Sequence, residues 1–350
     1  MSNFLPLPSI PVIFGCEGPR LSEAERVFFR KYNPVGLILF TRNCETPDQV
    51  RELISDFKKS VTVPEPLILI DQEGGRVQRL TAPNWPVYPA AGKVAELASI
   101  NLDKGEKAIY LLGRLLASDL APLGITVNCA PVLDVLRSEA HDIIGDRALG
   151  KNATQVSHLG RALCNGLLSG GVLPVIKHIP GHGRAGIDSH KALPVVNASA
   201  EELETIDFAP FRALRDMPLA MTAHAAFTVF DSLKPVTTSD ILIREVLRGR
   251  IGYRGVLMSD DITMSALTGS MDDRARNALL AGCDLILHCN GIMTEMRVIA
   301  GAVQQTSQNI AESLVQMEVL RKSALINDEF NPDHGRSQLA EILVVSGDPM

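Results

Sequence analysis

The sequence predicts an α/β fold, a (β/α)8 barrel of the TIM type, because it contains eight short and continuously apolar runs. Each run is followed by a loop and then by a longer amphipathic segment. The runs occupy residues 11–15, 35–40, 66–70, 126–133, 173–177, 219–223, 255–258 and 284–288. Continuous hydrophobicity is typical of parallel strands buried on both faces. Eight strand–helix units are the repeat number of this barrel.

The segments between these runs carry helix signals. They span residues 22–31, 46–59, 107–120, 154–168, 200–215 and 239–248. Ser22 and Ser199 each stand three residues before a Glu, which is the pattern of a capping box, and Thr46 precedes a proline at a first helical position. An open, doubly wound sheet is the structural alternative. That fold usually shows a GxGxxG loop after its first strand, and residues 15–18 do not match this pattern.

The chain is expected to form one domain. No linker rich in Pro, Gly or Ser divides its 350 residues, and a barrel of this type accounts for most of that length. Helix-like periodicity continues beyond the last strand without any recognisable chemistry. We therefore expect a single catalytic barrel domain over residues 1–350, with a C-terminal helical extension from about residue 309.

Composition excludes several classes of partner. The net charge is −6 and no cluster of Lys and Arg forms a basic face, so we expect no nucleic-acid partner. The chain has no run of 18 apolar residues and no secretory signal at its start, so we expect no membrane partner and a cytoplasmic location. The six cysteines are irregularly spaced without a CxxC motif, which indicates free thiols. We expect neither a cofactor nor a bound metal.

Polar side chains cluster where the apolar runs end. Runs three to eight lead into Asp71, Asp134, Lys177, His224, Asp260 and His288. The carboxyl ends of all strands in such a barrel meet at one face, and that face carries the active site. One polar residue at a strand end can simply mark the arrival of the chain in solvent. Six in succession predict a polar cleft, which is where a binding or active site is expected.

Two short blocks carry the chemistry of acids, bases and nucleophiles. Asp188 and His190 are two residues apart, so in an extended loop the carboxylate can orient the imidazole for general acid/base catalysis. The alternative is an ordinary helix cap by Asp188. Asp260 and Asp261 are adjacent, and two buried carboxylates repel. One can act as a nucleophile in the cleft while the other caps the following helix, or both can be solvated or capping.

Two further blocks supply groups that can bind a substrate. Glycines at residues 74–75 permit a tight turn that aims Asp71 and Arg76 into the cleft, although these two side chains can also pair merely to tether the loop. Lys177 and His178 lie at a strand end, where neighbouring side chains alternate in direction. At most one of them should point inward unless the strand ends in a bend, and Pro180 with Gly181 supplies such a bend. A structural role for His178 is the alternative.

Together these blocks resemble glycoside hydrolase family 3, in its short, single-domain branch of bacterial β-N-acetylglucosaminidases. The resemblance is carried by residues 36–43 (GLILFTRN), 71–79 (DQEGGRVQR), 128–135 (NCAPVLDV), 144–147 (IGDR), 177–183 (KHIPGHG), 188–190 (DSH), 221–224 (MTAH) and 259–261 (SDD). It runs from about residue 11 to about residue 291. The KHIPGHG block followed shortly by DSH is its most specific part.

The resemblance implies roles for individual residues. Asp260 would be the nucleophile that forms a glycosyl-enzyme intermediate, and His190 the general acid/base, oriented by Asp188. The residues that would bind the sugar are Asp71, Arg76, Arg147, Lys177 and His178. The implied reaction is hydrolysis, with retention, of a terminal non-reducing β-linked N-acetylglucosamine. The implied substrate is a carbohydrate, N-acetylglucosamine linked to 1,6-anhydro-N-acetylmuramic acid with or without peptide, from peptidoglycan recycling.

Some alternatives stay open at this stage. Arg184 and Ala185 stand where the family commonly has Asp-Thr, so Arg184 can alter contacts to the leaving group. A metal-dependent hydrolase would use His178, His182, His190, His224 and Asp260 as ligands. A sugar-binding protein without turnover, and a phosphorylase that uses phosphate instead of water, are the other possibilities. The sequence does not predict the oligomeric state.

Overall fold

A computed structural model of the chain describes residues 9–137, 143–184, 189, 192–325 and 329–344. Eight parallel strands close into a barrel in which each strand pairs with its neighbours in the chain, and the last pairs with the first. The predicted (β/α)8 fold is confirmed. The strands are β1 (Ile10–Phe14), β2 (Pro34–Leu39), β3 (Leu67–Ile70), β4 (Val127–Asn128), β5 (Leu173–Ile179), β6 (Leu219–Thr222), β7 (Val256–Asp261) and β8 (Leu285–His288).

Three strands differ by two or more residues in length from their predicted spans. Strand β4 is regular over only two residues, although the sequence predicts 126–133. Pro131 lies in this segment and has no N–H for the ladder, so the chain after Asn128 follows β5 through single contacts such as Val132 with Lys177. Strands β5 and β7 run further than predicted, to Ile179 and Asp261.

Helices surround the barrel, and the predicted segments all contain one. They are α1 (Glu23–Tyr32), α2 (Pro47–Ser60), α3 (Ala91–Ile100), α4 (Leu102–Leu120), α5 (Ala153–Ser169), α6 (the successive turns Ala200–Glu202, Leu203–Asp207 and Ala209–Ala213), α7 (Leu242–Ile251), α8 (Met271–Ala281), α9 (Met293–Ala302), α10 (Gln308–Ser323) and α11 (Pro332–Val344). The side chains of Ser22, Thr46 and Ser199 accept the expected capping bonds at the starts of α1, α2 and α6.

The core has two layers. Strand side chains fill the interior of the barrel, and a larger apolar layer lies between the strands and the helices. Helix α10 packs Ile310, Leu314 and Met317 against the interior layer, and Arg321 donates to the carbonyl oxygen of Gly171, just before β5 begins. This helix therefore closes the end of the barrel where the strands start. The loops that build the site lie at the opposite end of the barrel, where the strands end.

Two features of the remaining chain bear on function. All six cysteines are free thiols, as expected. Among the helices that the structure describes, none combines the length and the apolar character needed to cross a membrane.

Candidate active site

A cavity of about 370 Å³ opens where the strands end. Six of the residues singled out in the sequence line it together: Asp71, Arg76, Arg147, Lys177, His178 and Asp260. Each comes from a loop or strand end on the same face of the barrel. Asp188 and His190 lie outside the described residues, while Ser189 between them lines the cavity. Barrel closure therefore brings together residues that are up to 189 positions apart in the chain.

The floor of the cavity is a buried network of charges. Nζ of Lys177 lies 3.0 Å from Oδ1 of Asp71 and 2.6 Å from Oε1 of Glu73. Arg147 binds the same Glu73 carboxylate through both Nε and Nη2, each at 2.9 Å. Burial alone would raise the pKa of Glu73, but Arg147 and Lys177 hold it well below its usual range. The carboxylates are therefore ionised, and the two cations are fixed in direction.

Asp71 and Arg76 both reach the cleft, but they do not pair. The second oxygen of Asp71 lies 3.2 Å from Nη2 of Arg79, so the tether that the sequence offered as an alternative involves Arg79 instead. Arg76 lies at the rim, where its Nε donates to Asp146 at 2.8 Å. The glycine turn is as expected, since Gly74 and Gly75 have φ of 93° and 57°.

His178 is both anchored and exposed to the cavity. Its Nδ1 lies 2.7 Å from Oδ2 of Asp134, and the other oxygen of that carboxylate accepts from the backbone N–H groups of His178 and His182. The side chains of Lys177 and His178 both line the cavity, and the peptide bond between them is cis. That both residues reach the cavity is the exception that the sequence allows for a bent strand, and His178 combines the structural role considered for it with a place at the cavity.

Asp260 and Asp261 have different surroundings. Asp260 lines the cavity, and the backbone N–H of Asp261 donates to its Oδ1 at 2.8 Å. Among the described residues it has no cationic side chain within ion-pair distance, unlike Asp71 and Glu73. Burial acts to raise its pKa, but His224, His178, the backbone N–H of Asp261 and Lys177 together outweigh that effect, so its pKa lies below the ordinary value.

Asp261 is not the helix cap that the sequence suggested. Its carboxylate accepts from the N–H and hydroxyl of Thr263 and from the N–H of Cys289. The chain makes a turn after β7, and α8 begins only at Met271, preceded by Ser270. Asp261 therefore ties the end of β7 to this turn and to the end of β8.

Sequence reasoning missed four groups of the site: Glu73, Arg79, Asp134 and His182. Glu73 stands two residues after Asp71, and that spacing was the available signal. Asp134 was recognised only as a polar strand end, and His182 only as a metal ligand. His182 is buried at the cavity wall, neither ring nitrogen has a hydrogen-bond partner among the described residues, and burial lowers its pKa to about 4.

Among the residues that the structure describes, which do not include His190, the ligand set of a metal-dependent hydrolase does not form. Both nitrogens of His224 are occupied, by Thr237 and by the carbonyl oxygen of Asp261, and Nδ1 of His178 is taken by Asp134. Within the described ranges, no group of three or more His, Cys, Asp or Glu side chains is arranged to hold a metal ion.

Arg184 lies against helix α6 instead of in the cavity. Its Nε donates to Oδ2 of Asp207 at 2.8 Å, and both groups are largely buried. Arg184 therefore belongs to an internal ion pair, and its effect on contacts to a leaving group stays a prediction.

Comparison with known proteins adds to this geometry. Residues 7–323 match the family model described as "Glycosyl hydrolase family 3 N terminal domain". The chain belongs to glycosyl hydrolase family 3. Within this family, a β-hexosaminidase of Alkalilimnicola ehrlichii is 40% identical over 284 residues, which cover 80% of this chain and 80% of the relative. A β-hexosaminidase of Neisseria meningitidis is 37% identical over 291 residues, covering 81% and 79%.

Solved structures agree with this family 3 assignment. NagZ from Neisseria gonorrhoeae in complex with N-trifluoroacetyl-D-glucosamine has a TM-score of 0.85 and 32% identity, over 96% of this chain and 99% of that one. NagZ from the same organism in complex with zinc ion has a TM-score of 0.83 and 31% identity, with the same coverage. The predicted membership in the short β-N-acetylhexosaminidase branch of the family is confirmed.

Proposed function

We propose that this family 3 enzyme hydrolyses terminal, non-reducing β-linked N-acetylglucosamine with retention of configuration, through a covalent intermediate on Asp260. The observation that carries the proposal is the state of the Asp260 carboxylate. It is ionised, lines the cavity and is held by one backbone hydrogen bond, whereas the neighbouring carboxylates of Asp71 and Glu73 are neutralised by cations. A nucleophile needs such an uncommitted lone pair.

The other site residues have separate roles in this proposal, in sugar binding and in acid/base catalysis. Asp71, Arg147, Lys177 and His178 bind the sugar, with Arg76 at the rim. His190, oriented by Asp188, protonates the leaving oxygen and then deprotonates water, as a two-step retaining mechanism requires. The spacing of the two residues supports this assignment. The substrate is a carbohydrate fragment of peptidoglycan, N-acetylglucosamine joined to 1,6-anhydro-N-acetylmuramic acid, encountered in the cytoplasm.

The nucleophile is tested by removing it and replacing it chemically. Asp260→Ala should lower kcat on an aryl β-N-acetylglucosaminide by at least about 10³-fold, since the covalent step is lost. Added azide should restore turnover and give the α-glycosyl azide, because azide attacks from the face that Asp260 occupied. Asp216→Asn, in an ion pair outside the cavity, is the control. Unimpaired turnover in Asp260→Ala would sink the assignment.

The acid is tested with two leaving groups. His190→Ala should reduce hydrolysis of a substrate with a poor leaving group, such as a methyl β-N-acetylglucosaminide, much more than hydrolysis of an activated aryl glycoside. Equal losses on both substrates would argue against His190 as the acid. Chelator treatment of the wild type belongs in the same series, since a loss of activity that added zinc restores would favour a metal-dependent reaction.

The substrate is tested by competition between two disaccharides. We expect a higher kcat/KM for N-acetylglucosaminyl-1,6-anhydro-N-acetylmuramic acid than for the dimer of N-acetylglucosamine. A preference for the dimer would overturn the peptidoglycan assignment and leave the enzyme class intact. Mass analysis of the products with and without phosphate would show whether water or phosphate accepts the sugar.

A further inference from the structure

A buried chain of hydrogen bonds connects strand β6 to the backbone that carries Asp260. Nε2 of His224 lies 3.0 Å from the carbonyl oxygen of Asp261, and its Nδ1 lies 2.7 Å from Oγ1 of Thr237. Oγ1 of Thr237 lies 2.8 Å from Oγ1 of Thr222. His224 and both threonines are fully buried, so no bulk water competes for these bonds.

The donor in each of these hydrogen bonds follows from which atoms carry a proton. A carbonyl oxygen can only accept, so Nε2 of His224 carries the proton. Burial lowers the pKa of His224, so its ring is neutral and Nδ1 is an acceptor. Thr237 must then donate its hydroxyl proton to Nδ1. Because that proton is used, the hydroxyl of Thr222 donates to Thr237.

The far end of the chain reaches the reacting carboxylate. The backbone N–H of Asp261 donates to Oδ1 of Asp260, while the Asp261 side chain accepts from the N–H groups of Thr263 and Cys289. The carbonyl oxygen of Asp261, one residue beyond Asp260, is therefore held by His224, while the side chain of Asp261 is held by the turn and by β8. These bonds define where the Asp260 carboxylate stands.

We propose that His224, Thr237 and Thr222 are positioning residues for Asp260: together they hold the Asp260–Asp261 backbone so that the carboxylate faces the anomeric carbon. The inference rests on the proposed role of Asp260 as the nucleophile. None of the three side chains belongs to the cavity lining, so each acts through the backbone of its neighbour. Displacing a reacting group by about 1 Å can slow a reaction by roughly 10²-fold, so the hydrogen bonds that fix the position of Asp260 should affect kcat.

The test replaces Thr237 with valine, which removes the side-chain hydroxyl and keeps the shape of the side chain. Thr237→Val leaves Nδ1 of His224 without its donor, while Thr237→Ser restores the hydroxyl. We expect Thr237→Val to lower kcat by about 10-fold to 100-fold. The KM and the Kd for N-acetyl-D-glucosamine should stay within about twofold, since the sugar-binding groups are untouched. Thr237→Ser should recover most of kcat.

Thr238→Val is the matched control, because the next threonine lines a separate surface pocket and takes no part in the chain. ¹⁵N NMR adds a readout that folding alone does not move: His224 should be the Nε2–H tautomer in both proteins, but the Nδ1 resonance should shift in Thr237→Val toward that of an acceptor nitrogen without a donor. If Thr237→Val does not fold, Thr222→Val removes only the last donor and should lower kcat by a smaller factor.

Two results would overturn the proposal: a kcat of Thr237→Val within twofold of wild type, or an equal loss in Thr238→Val. Asp260→Ala is measured alongside. An active Asp260→Ala would overturn the proposed function itself. An inactive Asp260→Ala together with an unimpaired Thr237→Val would overturn only the positioning role.

Discussion

Asp134 holds His178 through its side chain, with Oδ2 of the carboxylate 2.7 Å from Nδ1 of the imidazole. The carboxylate is completely buried, and although burial alone would raise its pKa, His178 keeps that pKa low. An ionised carboxylate only accepts, so Nδ1 carries the proton and Nε2 is the nitrogen left for a ligand in the cavity. The tautomer of His178 is therefore set by Asp134, a residue that does not line the cavity.

The bond between Asp134 and His178 predicts that neutralising Asp134 lowers activity. Asp134→Asn keeps the shape but weakens the charge-assisted bond, so we expect kcat/KM to fall by about 10-fold to 100-fold. Steady-state kinetics on the aryl β-N-acetylglucosaminide would measure it. Asp119→Asn alters a half-buried carboxylate that accepts from the hydroxyl of Tyr88 away from the cavity, and serves as the control. Wild-type kinetics in Asp134→Asn would contradict the role of the pair.

Glu73 is expected to be the costliest carboxylate of the site to neutralise. Glu73→Gln leaves Lys177 and Arg147 buried with one anion fewer, which should lower the free energy of unfolding by about 3–5 kcal/mol. Urea unfolding at neutral pH measures the loss. Glu23→Gln changes a surface carboxylate that pairs with Arg26 and Arg30, and should cost at most about 1 kcal/mol. Similar losses in the two variants would show that burial of the network contributes nothing.

The buried imidazole of His182 predicts a dependence of stability on pH. Its folded pKa of about 4 lies below the ordinary value of 6.5, so between these values the unfolded chain binds a proton that the folded chain does not. The contribution of neutral His182 to the free energy of unfolding is therefore fully present above pH 6.5. It is lost as the pH falls toward 4, by about 3 kcal/mol in total.

His182→Leu removes this titration. Urea unfolding at several pH values should show a shallower loss in the variant than in wild type below pH 6.5. The pKa values of His224 and His288 are lowered by burial as well, but both residues are present in both proteins, so the difference isolates His182. Parallel curves for the two proteins would refute the expectation.

A glycine next to the site should not tolerate a side chain. A Cβ on Gly183 would overlap the backbone carbonyl of Val135. Gly183→Ala must therefore shift either its own segment or the segment that contains Val135. We expect a loss of about 1–3 kcal/mol in unfolding free energy, and reduced kcat because the chain continues from here to Asp188 and His190. Gly18→Ala is the control, since no atom lies within 4 Å of its added Cβ. Equal Tm values for both variants would contradict the overlap.

Much of the fold could be predicted because its signals are local. Apolar runs mark all eight strands, and Ser22, Thr46 and Ser199 cap the helices that their positions predict. Errors arose where the local pattern was incomplete. The pattern of β4 continues past Asn128, but a proline without an N–H interrupts the ladder, and the turn after Asp261 has no sequence signature that separates it from a helix start.

For the site, the sequence by itself determined which residues stand at the strand ends and therefore which side chains share one face of the barrel. Only the tertiary structure decided how they pair. Glu73 rather than Asp71 binds Arg147, and Asp134 holds His178 across 44 positions of the chain. Hydrophobic periodicity depends on neighbours in the sequence, whereas the partner of a buried charge depends on barrel closure and on the direction of each side chain.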